Sequence, residues 1–582
     1  MAETEQASQP GQDAPQPGLR DRIAAWRAGL GRPAVGFVAQ PEPRTIGMVA
    51  RGRQLLAGNF LLAGVLVEAP GLSLWDVPAP EPGFTAAAQG FGWLDDLAAV
   101  ADPQARTRAQ DWLFDWIDRY GTGQGPGWVP DLTGRRLVRW INHTALLLQG
   151  RDRAEADRYY TALTRQARYL ARRWSAAAPG LPRFEALAGL TRAALSLDGL
   201  SPLVDPAVAA LARECGQEID AQGGIPTRNP EELLEVLTLL TGAAQALAEA
   251  GQSAPTALHD AIARIAPTLR ALRHADGGLA RFHGGGRGME GRLDHALAES
   301  GVRALAASGP AMGYLRLSGG RTSIIIDAAD PPGGGAAGGA HASTLAFELT
   351  SGRRPVVVSC GSGLPFGVDW ALAGRATASH STLAIDGFSS SRMGPGRGRA
   401  RLALEDRAHV IHLRQTAGNG GHAVVLGHDG WSQTHGLTHV RALELSNDGR
   451  RLAGEDTLGA ATTTERKRFD TVMEQMRLAG VPFAVRFHLH PDVDAALDMG
   501  GTAVSLALKS GEIWVFRHDG AGRLSLEPSV YLEKGRLAPR ATKQIILSGR
   551  VLDYAAQVGW TLAKAQDTPL AIRDLDRDDP VI

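Results

Sequence analysis

The hydrophobic period changes once along this chain of 582 residues, near residue 310, and that change limits what the chain can fold into. Before it, apolar residues recur at helical spacing. WLDDLAAVADPQARTRAQDWLFDWIDRYG (93–121) places Trp112 and Trp116 four apart, with Leu113 and Ile117 alongside. The stretches 135–148, 156–174, 183–197, 230–251 and 257–278 repeat the pattern, each ending near Gly or Pro, as helices do. Helices of this length joined by short turns predict paired antiparallel helices, in a solenoid or a closed ring. After the change, 314–328, 343–361, 400–416, 438–458 and 483–493 alternate apolar and polar residues between turns rich in Gly, Asn and Asp. That is the pattern of antiparallel sheets built from hairpins and meanders. The fold class expected is α+β in two parts. Residues 1–20 form a polar tail expected to be disordered for want of apolar surface. Residues 21–310 form a helical domain and 311–582 a β domain.

Composition excludes several functions. Lys+Arg and Asp+Glu are both 61, and this balance argues against a dedicated nucleic-acid binder, which carries a basic excess. Two cysteines, Cys215 and Cys360, are too few for a disulfide framework or a Cys-based zinc module. The N-terminal residues lack the apolar core of a signal peptide, and 60–70 is interrupted by Gly64 and Glu68, so no transmembrane segment is expected. On these grounds the expected location is cytoplasmic.

Among residues able to do chemistry, Arg228 and Glu232 are four apart and share a helix face if a helix begins near Pro230. In that arrangement Arg228 holds a substrate carboxylate and Glu232 acts as base; the plain reading is a salt bridge beside a helix start. Asn142-His143 sits on an apolar helix and makes His143 a cleft candidate. His283 lies in a Gly-rich loop, RFHGGGRG (281–288), where a cleft rim would lie. His488 and His490 alternate on one strand and share a face.

Several strings resemble the heparinase II/III-like polysaccharide lyases. GAHASTLAFELTSGRRPVVVSCGSG (339–363), RATASHSTLAIDG (375–387) and RFHLHP (486–491) are similar to strands of that family's C-terminal domain. GRRLVRWINH (134–143) and QGGIPTRNPEELLEVL (222–237) sit where members carry two helical-domain motifs. The resemblance implies an (α/α) toroid followed by an antiparallel β-sandwich, with a cleft between them. It also implies β-elimination on an acidic, uronate-containing and in some members sulfated glycan. Elimination needs a group to neutralise the uronate, a base and an acid. The resemblance places His341 and His380 as catalytic residues and Arg375 as a substrate-binding one; Glu232 and His283 as catalytic residues, with Arg228 and His143 binding substrate, are the candidate replacements for the family's helical-domain set.

The resemblance brings a zinc site as well, with His341 and His380 as ligands. Its Asp position is occupied by Ser359, a poor ligand, and the adjacent Cys360 is expected to face the other way on the strand. Other departures matter for activity. The family's Asn-His pair falls at Leu181-Pro182, its tyrosine at Glu232, and no tyrosine lies between Tyr169 and Tyr314. A non-catalytic glycan-binding or envelope-biogenesis protein on the same scaffold is therefore the alternative, located in the cell envelope or periplasm like exported relatives. A hydrolase using Glu185 and Glu232 is a third reading.

Overall fold

A computed structural model describes residues 16–38, 46–307, 309–394, 403–418 and 420–567. Most of the 1–20 tail and the end of the Gly-rich connection 387–401 lie outside these described residues. The architecture is a helical N-terminal region followed by antiparallel sheets, as the change of period predicts.

Two of the expected helices are each broken at one point. The run 93–121 becomes Trp93–Val100 and Pro103–Tyr120. Ala101 turns left-handed there (φ 57°), and the Asp102 carboxylate caps the second helix by accepting from the Ala105 amide at 2.7 Å. Pro103 takes the first turn, where its missing N–H leaves nothing unpaired. The run 135–148 breaks at His143, between Pro130–Asn142 and Thr144–Leu148.

Leu181–Ser196 is buried on nearly every face and is the hub of the helical half. It packs against Pro130–Asn142, Arg153–Arg173, Val204–Glu218 and Pro230–Glu249. Where it crosses Pro130–Asn142, backbone meets backbone. A Cβ on Gly189 would lie 2.5 Å from Gly134 Cα, and one on Gly134 would lie 2.2 Å from the Glu185 carbonyl oxygen. Only glycine fits at either position.

Ahead of this helical array, Asn59–Leu62 pairs antiparallel with Val65–Glu68. Its turn residue, Gly64, has φ +89° and backs onto the β half, where an added Cβ would lie 2.5 Å from Pro365 Cβ.

Among the described residues the β half contains two large antiparallel sheets. One runs in the order Val410–Gly418, Gly421–Trp431, Leu437–Ser446, Arg451–Gly459, Ala555–Gln566, Ile513–His518, Ala503–Leu508 and Val493–Asp498. The other runs from Arg523–Tyr531 through Arg540–Val551, Val481–Leu489, Arg354–Val358, Phe347–Ser351 and Thr322–Asp327 to Tyr314–Gly319, with Leu383–Ile385 alongside Val481–Leu489. Their apolar faces meet in one core in which Phe347 stacks on Trp560 with ring centroids 5.8 Å apart.

A charged network is sealed into this core. Asp456 accepts from Arg441 Nε at 2.7 Å and from Trp560 Nε1 at 2.9 Å, and lies 2.8 Å from His439 Nε2. His439 in turn meets His428 at 3.3 Å. Arg441 also donates to the carbonyls of Leu345 and Ser381, so a buried arginine on one sheet holds the other.

The two halves share a further core. Tyr314, Ile325 and Ala346 of the β half pack with Phe184, Leu233 and Phe282 of the helical half. Polar contacts cross the same seam, among them the ion pair Glu231–Lys534 and the Arg281 guanidinium, which donates to the carbonyls of Ser359, Cys360 and Leu532.

Candidate functional site

Four of the residues expected to carry function, Arg228, His283, His341 and His380, come together at the seam between the halves. The strand Thr322–Asp327 is wholly buried and ends on a carboxylate, Asp327. Arg228 reaches it from the helical half at 2.5 Å, and the Ser343 hydroxyl donates to its second oxygen at 2.6 Å. His283 Nε2 lies 3.4 Å from that second oxygen. The His341 backbone amide donates to His283 Nδ1 at 3.1 Å, which puts the His283 proton on the nitrogen facing Asp327. The rings then continue as a chain. His341 Nδ1 is 3.2 Å from His380 Nε2, and His380 Nδ1 is 3.1 Å from the Ser359 hydroxyl.

Burial governs the charge states here. It presses His283 below the ordinary imidazole value, His341 well below it, and His380 down to about 3. At His283 the Asp327 carboxylate opposes this shift while Arg228 and Arg375 add to it; at His341 and His380 the neighbouring histidines add to it. Burial works against the Asp327 charge as well, yet Arg228 and His283 overcome it and hold the carboxyl far below the usual range. Arg228 keeps its charge by the same pairing, and lies over the Tyr314 ring at 4.7 Å. Tyr314 donates to the Arg228 carbonyl at 2.6 Å, and burial raises its phenol well above the ordinary value.

Three expectations about individual residues need correction. Arg228 and Glu232 do not share a helix face. The helix begins at Pro230 with Asn229 as its cap, and Arg228 stands outside it in the left-handed region (φ 50°), aimed at Asp327. Arg375 does not extend toward a cleft; it donates to the carbonyls of Ala340 and Ala337, and so props the turn that carries His341. His283 is no rim residue, being 1 % exposed.

Glu232 accepts from the Thr227 hydroxyl at 2.7 Å, with its pKa raised by burial. His143 belongs to a different neighbourhood, 2.8 Å from Asp95 Oδ1. Cys360 faces away from His380, with its sulfur 3.5 Å from His488 Nδ1. Sequence reasoning missed Asp327, although a lone acid closing the apolar run SIIID (323–327) is the kind of signal that marks a buried anion.

Among the described residues no group of three or more His, Cys, Asp and Glu side chains is placed to hold a metal ion. The residues present do not fit the zinc site that the resemblance implies. Two imidazoles bond to each other, the third position is a neutral serine, and Cys360 is directed elsewhere. Among the described residues no helix is long and apolar enough to cross a membrane.

This arrangement of a helical toroid followed by a β-sandwich is the fold of solved polysaccharide lyases. Heparinase III superposes with a TM-score of 0.66 at 13% identity, over 93% of this chain and 89% of that one. A mutant of the heparan sulfate lyase HepC from Pedobacter heparinus gives 0.58 at 13% identity, over 94% and 88%. The family model for the heparinase II/III-like C-terminal domain matches residues 302–561. Over 550 residues the chain is 32% identical to FtsZ-localized protein C of Caulobacter vibrioides, covering 91% of each. The chain belongs to the heparinase II/III-like family.

Proposed function

We propose that this chain is a glycan-binding protein of envelope biogenesis that keeps the lyase scaffold without its elimination chemistry. The observation that carries this reading is the state of the histidines. His283, His341 and His380 are 1 %, 2 % and 0 % exposed and bonded to one another or to the protein. A base for β-elimination must reach the proton of a bound sugar, and these rings meet only protein. Tyr314 is likewise committed, to the Arg228 carbonyl. The name of the Caulobacter relative supports a place alongside FtsZ for this chain too. The ligand proposed is an acidic polysaccharide, and no nucleic acid.

One observation favours the lyase reading. Glu232 is half-buried at a helix start with a raised pKa, as a carboxylate base would be. The two readings separate in one experiment. Acidic glycans are incubated with the chain, with and without zinc, and the ultraviolet absorbance of an unsaturated uronate product is followed; binding of the same glycans is measured by calorimetry. Binding with a flat absorbance trace is the expected result. A rising trace that is lost in Glu232→Gln would establish the lyase instead.

A further inference from the structure

Two residues beyond the strand Arg354–Val358, Cys360 is fixed on both sides through its backbone. Its amide donates to the Ser379 carbonyl at 2.9 Å, and its carbonyl accepts from the Leu532 amide at 2.7 Å and from Arg281 at 3.1 Å. A Cβ on the next residue, Gly361, would lie 2.0 Å from that guanidinium. So held, the sulfur meets two side chains of the same sheet, His488 on Val481–Leu489 and Ser529 on Arg523–Tyr531.

His488 Nδ1 is 3.5 Å from the sulfur and 2.8 Å from the Ser529 hydroxyl, which is itself 3.9 Å from the sulfur. His488 Nε2 lies 2.9 Å from the Ala378 carbonyl, which only an N–H can satisfy. The ring proton therefore sits on Nε2, and Nδ1 presents a lone pair to the thiol. Thiol, imidazole and an orienting carbonyl in series are the elements of an activated nucleophile. Ser529 adds an O–H that can turn to a thiolate. Burial opposes a charge on this sulfur, but His488, Ser529 and Arg281 outweigh it and hold the thiol below its ordinary value. Cys215 is the contrast. It lies within Val204–Glu218, where burial, with Glu214 beside it, pushes its thiol up to about 12.

We propose that Cys360 is a peroxide-reactive thiol, oxidised to a sulfenic acid with His488 carrying the proton. Cys360 is 3 % exposed, which excludes a large reagent. Ser529 lies on the edge strand of its sheet and is partly exposed, so the cluster approaches solvent on that side, and hydrogen peroxide is small enough to use the approach. His488 Nδ1 takes the thiol proton, and the thiolate attacks one peroxide oxygen. The O–O bond breaks as the S–O bond forms. Sulfur gives up two electrons, and the leaving hydroxide collects the proton from His488 and departs as water.

The test is hydrogen peroxide added to the full chain with dimedone, which traps sulfenic acids, followed by peptide mass spectrometry. Cys360 is expected to be labelled at least about tenfold faster than Cys215, and about tenfold faster than free cysteine at neutral pH. In denaturant the two cysteines are expected to react alike. His488→Gln is expected to slow labelling of Cys360 by about tenfold or more. Thermal unfolding checks that the variant folds. Equal labelling of the two cysteines in the folded, unaltered chain would overturn the proposal, whatever the variant does. So would a Cys360 that stays unlabelled while free cysteine in the same solution reacts. A folded His488→Gln chain labelled at the parent's rate would overturn the role of His488.

Discussion

The Ser359 hydroxyl lies 3.1 Å from His380 Nδ1, so the imidazole pair of His341 and His380 is completed by a neutral group rather than an anion. Zinc requires about three charged or imidazole ligands held toward one point, and this site offers two. The purified chain is expected to retain no stoichiometric zinc after chelation and dialysis. Ser359→Asp is expected to gain a zinc-dependent rise in Tm while being less stable than the parent without metal, because its carboxylate is buried. Elemental analysis and thermal unfolding check both; zinc retained one-to-one by the parent chain would sink the idea.

The Arg228–Asp327 pair joins the halves inside a buried seam. Removing one partner of such a pair leaves a buried charge, at a cost of about 3–5 kcal/mol. Asp327→Asn is therefore expected to lower stability by that amount at neutral pH, since it strands Arg228. The double substitution Asp327→Asn with Arg228→Met is expected to recover part of the loss. Denaturant titration of the three chains measures this; an additive double variant would contradict the pairing.

Acid is expected to destabilise the protein through its buried, low-pKa histidines. His428 is fully buried, and burial, with His439 and Arg441 beside it, holds it well below the ordinary imidazole value; His490 is held at about 3. As pH falls below about 6.5 the unfolded chain takes up a proton at each such ring and the folded chain does not. Stability then drops by up to about 1.4 kcal/mol per pH unit per histidine. Asp96 and Glu185 act in the opposite direction. Burial raises them to about 6 and about 7, so the folded chain binds their protons first and gains stability as pH falls toward the ordinary carboxylate value. His283, His341, His380, His435 and His439 are held low as well, so the histidines outnumber the raised carboxylates Asp96, Glu185, Glu218 and Glu232, and the net slope is a loss. In His428→Asn that slope is expected to flatten; an identical slope would show that His428 titrates freely.

The contact between the hairpin turn and the β half can be tested directly. Gly64→Val places a branched side chain at φ +89° and against Pro365. The backbone strain alone costs about 1–2 kcal/mol. The expected result is a Tm lower by a few degrees and faster proteolysis within 46–75. Unchanged proteolysis would mean that the hairpin does not depend on this contact.

The broad division of the chain was legible because burial imposes a period on each kind of element. The run around Trp112 and Trp116 reads as a helix with an apolar face, and both residues are buried. The polar details were not legible, for specific reasons. Arg228 and Glu232 looked paired through helical spacing, but Asn229 caps the helix between them and turns Arg228 to another partner. Asp327 lies 99 positions from Arg228, and no local pattern joins them. The hairpin at Asn59–Glu68 carries too few residues for alternation to register. Arg51, Arg135, Arg139 and Arg292 line one cavity but come from three separate segments, so only tertiary structure assembles them.

The glycine crossing of Gly134 and Gly189 has a consequence for how this family can change. Arg135 and Arg139 ride on a helix whose distance from its neighbour is set by backbone against backbone, not by any adjustable side chain. That crossing works as a fixed joint, and a mutation that thickened either glycine would pry the ring open rather than tune it. The helix at 49–56 is held in the same way, since a Cβ on Gly52 would lie 2.3 Å from the Asp96 carbonyl oxygen, so freedom to vary is left to the hairpin at 59–68. Among homologues, variation is expected to gather in that hairpin, while the glycine pair stays the same.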